Sequence, residues 1–424
     1  MLVSAGQQGA RISREELVTA GTVEILLTAI QNHPSVPAVQ QNGLLVLDSL
    51  SADPRWHEEM AQHNGVQVLV ASLREWASSA SLQCQVYKIL SQLAADSTTR
   101  TDSAWVDGIE TSIAATSQHP AATALHGNVW ALLQELASEG PSQARLIEII
   151  VHAGALEALV KSLRKHVDAE SVQTNACALL QMVVSIPEFR EDVADSGVVD
   201  AVSEAMLRMS DCETLQLSGC AVLLLLSSEP SCLESVVGGA IDAVVQAMDR
   251  NMLSSSVQQN ASGVLLNLSA SGGAAQNVIV QAGGIESIVT AMFSFPAVAQ
   301  LQVHGIKTLA FLAPNAKFRQ RLVEFGAVEV ALTVMHSFPE LLDVQLNGCG
   351  MLQNLATSTE IQSMVAQLNG IKIVLHSMNV HQGTLELQAV GMGLLQNLAA
   401  TSENCVAIGK SVGLRSVHHL KPRS

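Results

Sequence analysis

The sequence holds 424 residues with a formal net charge of −16, and its apolar share of 48% against 3% aromatic is that of a helical protein with a small-residue core. No Gly/Ser-rich stretch or block of one charge divides it, so a single periodic domain over 1–424 is expected rather than two or three globular ones. A mean hydropathy of +0.30 invites a membrane reading, but runs such as Ala221 to Leu226 fall far short of the roughly 20 residues a spanning helix needs.

The N-terminal MLVSAGQQGAR has no secretory apolar region, and Leu2 stands where myristoylation requires glycine, so no targeting segment or membrane anchor is expected. From there the chain repeats. AGTVEILLTAI, GGAIDAVVQAM, AGGIESIVTAM, FGAVEVALTVM and LNGIKIVLHSM are each a turn followed by an amphipathic stretch. The turn residue is Gly21, Asn64, Asp107, Gly154, Gly197, Gly239, Gly283, Gly326 and Asn369, at spacings of 43, 43, 47, 43, 42, 44, 43 and 43. All are types that tolerate the left-handed backbone with which one helix closes and the next begins.

Three residues later come Glu24, Gln67, Glu110, Glu157, Asp200, Asp242, Glu286, Glu329 and Lys372, seven of nine acidic, as the first turn of a second helix favours. Pro34, Pro120, Pro296 and Pro339 stand 13 residues after their turns and are expected to end that helix. A third helix reads VQQNGLLVLDSL in the first copy and VQLNGCGMLQNL in the eighth, closing 29 residues after the turn on Leu50, Leu93, Leu136, Val183, Leu226, Leu268, Leu312, Leu355 or Leu398. Leu stands three places before the close in all nine copies, the spacing of a buried face. The units run about 8–50, 51–93, 94–136, 137–183, 184–226, 227–268, 269–312, 313–355 and 356–398, the one large length change falling around Gly140 and Pro141. A partial copy, ENCVAIGKSVGLRSV, lies in 399–424 and is expected to give a first helix and the start of a second, as a cap.

The seven cysteines show no CxxC spacing, and Cys177, Cys220 and Cys349 share one repeat position. They read as small core residues of a chain kept in a reducing compartment, cytoplasm first, with nucleus or cilium as alternatives.

A 42 to 47-residue period with a short, a medium and a long helix resembles the armadillo repeat over essentially the whole chain. VQLNGCGMLQNL (Val344 to Leu355) and VQQNASGVLLNL (Val257 to Leu268) are similar to the family's third-helix pattern. The resemblance implies an all-α, right-handed α-α superhelix of about nine three-helix repeats, with third helices lining a concave groove for extended partner peptides.

Positions one, five and eight before the closing residue share one helix face away from the Leu stripe. By the resemblance this ladder faces the groove, and its candidate partner-binding residues are Asn42, Gln85, Lys88, Asn128, Glu135, Asn175, Asn260, Asn267, His304, Lys307, Asn347, Asn354 and Asn397. Eight of the chain's 16 asparagines fall on its 27 positions, although Asn is a mediocre helix former. Either the amides pair with the main chain of a bound peptide, or they bond to neighbouring backbone as part of the repeat.

The ladder departs from two members of the family. Importin-alpha sets a Trp four residues before the last Asn, where this chain has Leu45, Lys88, Ala131, Ala178, Ala221, Gly263, Lys307, Gly350 and Gly393; Trp130 falls one place off, on the buried side. Beta-catenin lines its groove with Lys and Arg, whereas this ladder has only Lys88 and Lys307.

No catalytic, metal or cofactor site is expected. WHEEMAQH (Trp56 to His63) lacks the HExxH spacing and reads as a solvated first helix. The glycine pairs at 348/350 and 391/393 read as close helix packing, His418 and His419 as a polar tail, and Asn260 and Asn267, which begin Asn-x-Ser triplets, as helical rather than glycosylated. The net acidity disfavours nucleic acid. The expected function is a non-catalytic scaffold or adaptor for an extended protein segment. A regulatory subunit of an enzyme or small GTPase, and a small-ligand (nucleotide) sensor, are the alternatives, and oligomeric state is left open.

Overall fold

A computed structural model describes residues 21–96, 99–101, 104–138, 140 and 142–418. The chain forms two compact units, Met1–Met209 and Ser210–Ser424. In the first, the second and third helices are Thr22–Asn32 and Pro37–Ser51 in repeat 1, Gly65–Glu75 and Ala80–Ala94 in repeat 2, Ala104–Gln118 and Thr123–Leu136 in repeat 3, and Ala155–Lys165 and Glu170–Val184 in repeat 4. Val198–Arg208 is the second helix of repeat 5. The second unit holds that repeat's third helix, Glu213–Ser227, then Ile241–Arg250 and Ser255–Ala270, Gly284–Ser294 and Ala299–Leu312, Ala327–Ser337 and Leu342–Leu355, and Gly370–Val380 and Leu385–Leu398. Among the described residues shorter first helices precede the pairs of the later repeats, for example Arg55–Gln62, Ala316–Glu324 and Thr359–Gln367. Within each unit the third helices of successive repeats lie side by side in the most extensive helix contacts, and no strand occurs among the described residues.

Seven of the nine turn residues have the left-handed backbone: Gly21, Asn64, Gly154, Gly197, Gly283, Gly326 and Asn369, with φ between 56° and 92°. Two do not. In repeat 3 the first helix shrinks to a 3-10 turn, Thr99–Thr101, and Asp107 lies inside the continuous helix Ala104–Gln118. Trp105, fully buried with its Nε1 donating to Thr99 O at 2.8 Å, anchors that helix where a turn would stand. In repeat 6 the helix Leu233–Gly239 runs to Ala240, whose φ of −105° and ψ of −20° any L-residue can adopt, and the next helix starts at Ile241.

Every second helix ends 11 residues after its turn position, with or without the following proline. Proline is therefore compatible with the stop without being its cause. The stop is held by the third helix of the same repeat. Ten residues before the close stand Gln40, Gln83, Gln173, Gln216, Gln258, Gln302, Gln345 and Gln388, and His126 in repeat 3. Gln345 Nε2 donates to Met335 O at 2.8 Å and Phe338 O at 2.9 Å. Gln40, Gln173, Gln258, Gln302 and Gln388 make the same two-carbonyl clamp, satisfying acceptors that a helix end otherwise leaves orphaned.

Third-helix ends are closed in the same way from the next first helix. Side chains six residues on donate to the carbonyl just past the close: His57 to Ser51 O, Arg100 to Ala94 O, Gln143 to Ala137 O, Arg319 to Ala313 O and Gln362 to Ala356 O, at 2.7 to 3.2 Å. The expected solvated helix at Trp56 is corrected by this bond: Trp56, His57 and Met60 are buried.

The leucines three before the close are fully buried in eight copies, and Leu395 is half-buried. Trp130, Cys177, Cys220 and Cys349 lie in the core. The glycines of the third helices let the second helix approach: a Cβ on Gly348 would lie 2.6 Å from Met335 Sδ, and one on Gly391 2.7 Å from Met378 Sδ. The partial copy is one helix, Ser402–His418, rather than a first helix and part of a second. Repeat 1's first helix, Pro141, His419 and the last five residues lie outside the described residues, as does the side chain of His418. No single described helix is long and apolar enough to cross a membrane.

Candidate functional site

The ladder positions fall on one stripe of each third helix, accessible except at Ala221 and Gly263, which are buried. Twelve residues before the close the stripe continues through Ala38, Ser81, Ala124, Ser171, Thr214, Ser256, Gln300, Asp343 and Glu386, all exposed. This outer row is a full turn beyond the last ladder position and shows in the sequence only as small and hydroxyl residues giving way to Gln and acids. Asn42 and Lys88 are exposed, and Gln85, Asn128, Glu135, Asn175, Asn260, Asn267, His304, Lys307, Asn347, Asn354 and Asn397 are half-buried.

The amides are engaged on one side. Asn128 Nδ2 donates to Cys84 O at 3.2 Å, Asn175 Nδ2 to Gly127 O at 3.1 Å and Asn397 Nδ2 to Gln353 O at 3.0 Å, each on the preceding third helix. Asn267 reaches Ser227 Oγ at 3.0 Å in the same sense. Asn347 and Asn354 donate instead to Asp343 O and Gly350 O, one turn back on their own helix. Among the described residues no donor reaches Oδ1 of any of these six. The structural role of the amides is thus visible in the bonds, while within each unit their carbonyl oxygens are left as acceptors.

Both lysines of the stripe are ion-paired. Lys88 Nζ pairs with Asp48 at 2.8 Å and Lys307 Nζ with Asp343 at 2.7 Å. His304 directs Nδ1 at Gln259 O and takes a bond from Gln300 Nε2 at 2.7 Å, and burial lowers its pKa, which keeps it neutral near pH 7. The small residues five before the close reflect close helix packing: a Cβ on Gly263 would meet Leu224 Cδ1 at 2.8 Å, leaving no slot for a lysine stem.

Larger recesses lie elsewhere. One of about 800 Å³ sits between the second helices of repeats 8 and 9, lined by Leu332, Met335, Leu368, Lys372, Ile373 and His376 among others, with no ladder residue on its wall. Among the described residues no group of three or more His, Cys, Asp or Glu could hold a metal ion.

A family model, the LRRK2 ARM repeat, matches residues 145–325. The fold is that of an armadillo-repeat solenoid. The chain aligns over 91% of its length with 74% of a solved chain from work on a phosphorylation switch controlling the interaction between cadherin and beta-catenin, at TM-score 0.72 and 16% identity. Two engineered proteins align at 23% identity over 59% and 58% of this chain and 99% and 97% of their own, with TM-scores of 0.46 and 0.47. Comparison with curated protein sequences gives no match.

Proposed function

We propose that this armadillo-fold protein is a non-catalytic scaffold whose third-helix faces receive an extended segment of a partner protein. The row of amide oxygens carries this reading, because an extended peptide offers unpaired N–H groups along its length whatever its side chains. Neutralised lysines and a neutral His304 select against a strongly acidic ligand, and the fold's likeness to a chain studied for the interaction between cadherin and beta-catenin supports a protein partner.

Asn347→Arg with Asn354→Arg tests it, since both amides bond only within their own helix and their replacement breaks no contact between repeats. Affinity capture by the variant should lose partners held by the wild type while the melting temperature stays within a few degrees. An unchanged set of captured partners would overturn the reading.

A further inference from the structure

The corners where second helices pass into third helices in unit 2 carry exposed apolar side chains in repeats 6, 8 and 9. In repeat 6 Leu253 is 96% exposed and Met252 55%; in repeat 8 Leu341 and Leu342 are 37% and 39% exposed; in repeat 9 Leu385 is 84% exposed. Val298 holds the corner of repeat 7, half-exposed. Leu342 and Leu385 share one register, 13 residues before Leu355 and Leu398. The corners of repeats 8 and 9 are tied to one another, His381 Nε2 donating to Pro339 O at 2.8 Å, and the repeat 6 corner is tied back to repeat 5 by Asn251 Nδ2 donating to Ser210 O at 3.1 Å. Scattered exposed leucines need no explanation, but Leu342 and Leu385, in one register on two tied repeats, with Leu253 at the repeat 6 corner, mark an interaction edge.

Charge along this edge is uneven. Glu340, Asp343 and Glu386 flank its repeat 8–9 end, all exposed. Lys307 neutralises Asp343, and Glu340 and Glu386 have no ion pair among the described residues. Arg250, also exposed, stands at the repeat 6 end.

We propose that the edge docks an amphipathic helix of a partner protein, apolar face on the leucines and Lys or Arg toward repeats 8 and 9. The spacing favours a helix. Packed helices stand about 10 Å apart, which a helix rising 1.5 Å per residue covers in about seven residues, or two turns, returning to the same face. An extended strand covers the same step in about three residues and turns its next side chain to the opposite face. The carboxylates choose the sign of the partner and repel an anionic bilayer.

The probe is a fluorescein-labelled helical peptide of about 22 residues with Leu at every seventh position and Lys flanking one end, titrated into the full chain by anisotropy. An isomeric peptide with Glu for Lys is the control. The basic peptide should bind at least about tenfold more tightly than the acidic one, and Leu253→Ser, Leu342→Ser and Leu385→Ser together should weaken it by about tenfold. Glu340→Lys with Glu386→Lys should abolish the preference for the basic peptide. Asp343 and Glu386 lie on both the edge and the outer row of the third-helix face, so the leucines separate the two readings: the triple-serine variant should keep the partners captured through the third-helix face, and Asn347→Arg with Asn354→Arg should leave the weakening caused by the serine substitutions intact. All five edge positions face solvent, and unchanged melting curves confirm that the variants fold. Equal binding by the triple-serine variant, equal binding of the acidic peptide, or leucine-dependent sedimentation with phosphatidylcholine/phosphatidylserine vesicles would each overturn the proposal.

Discussion

The amide of Gln345 ends on two carbonyls, Met335 O and Phe338 O, inside a side chain that is itself buried. Removing it leaves one buried and one part-buried acceptor without donors, and an unmet buried polar group costs about 1–3 kcal/mol. Gln345→Ala should therefore lower the urea midpoint by a loss in that range or above, although Gln345 lies off the ladder. Gln345→Glu keeps the shape and loses the donor, so it should be at least as damaging; a midpoint near wild type for either variant would contradict the clamp. The sequence shows this glutamine as a repeated letter, but its role depends on a bond to a carbonyl ten residues back across a helix corner, which helical periodicity alone does not reveal.

The turns between helices were largely legible because their cause is local: only a few residue types accept positive φ. Where the turn pattern breaks, the deciding contacts are not local. Asp107 is absorbed into a helix that Trp105 anchors on Thr99 O. Gly239 yields its place to Ala240, which the uneven spacings of 42 and 44 residues on either side of it had signalled. The ladder shows the same division, since helix geometry placed its face, while the destinations of Nδ2 of Asn128, Asn175, Asn267 and Asn397, 40 to 48 residues back in the chain, needed the fold. Gly326→Ala, at φ +84°, should destabilise by about 1–2 kcal/mol, whereas Gly239→Ala, at the end of a helix, should be neutral or stabilising by up to about 1 kcal/mol.

Repeat 3 offers a further element-level test. His126 replaces the glutamine clamp there, with Nε2 donating to His119 O at 3.2 Å and Nδ1 beside Ser162 Oγ at 2.8 Å, and its ring centroid is 4.3 Å from that of His166. Burial first, then the neighbouring His166, lowers its pKa to about 4; burial and Lys165 lower that of His166. An unfolded histidine titrates near about 6.5, so between those values the unfolded chain takes the proton and the folded chain does not. The stability these neutral rings contribute is present in full above about pH 6.5 and is lost as the pH falls toward 4. His126→Gln restores the clamp of the other repeats and should shrink the drop in urea midpoint between pH 7 and pH 5; an identical drop in both proteins would remove His126 as its source.

Stacked repeats draw stability from their neighbours as much as from themselves, so equivalent residues need not be equally valuable. Leu352 and Leu395 hold the same register, three before the close, yet Leu352 is fully buried whereas Leu395 is half-buried. Gln388 is likewise half-buried where Gln345 is buried. The difference follows from what lies beyond each third helix. Leu342–Leu355 packs against Leu385–Leu398, whereas Leu385–Leu398 meets the helix Ser402–His418 over a much smaller contact. Leu352→Ala should then cost the about 2–5 kcal/mol of a truncated core leucine, and Leu395→Ala clearly less, because part of that side chain is already hydrated and no closed cavity forms. Hydrogen exchange provides the second measurement: amides of Leu385–Leu398 should exchange faster than those of Leu342–Leu355, since their opening exposes less apolar surface. Equal protection of the two helices together with equal losses for the two substitutions would mean that the ninth repeat is covered as fully as the eighth.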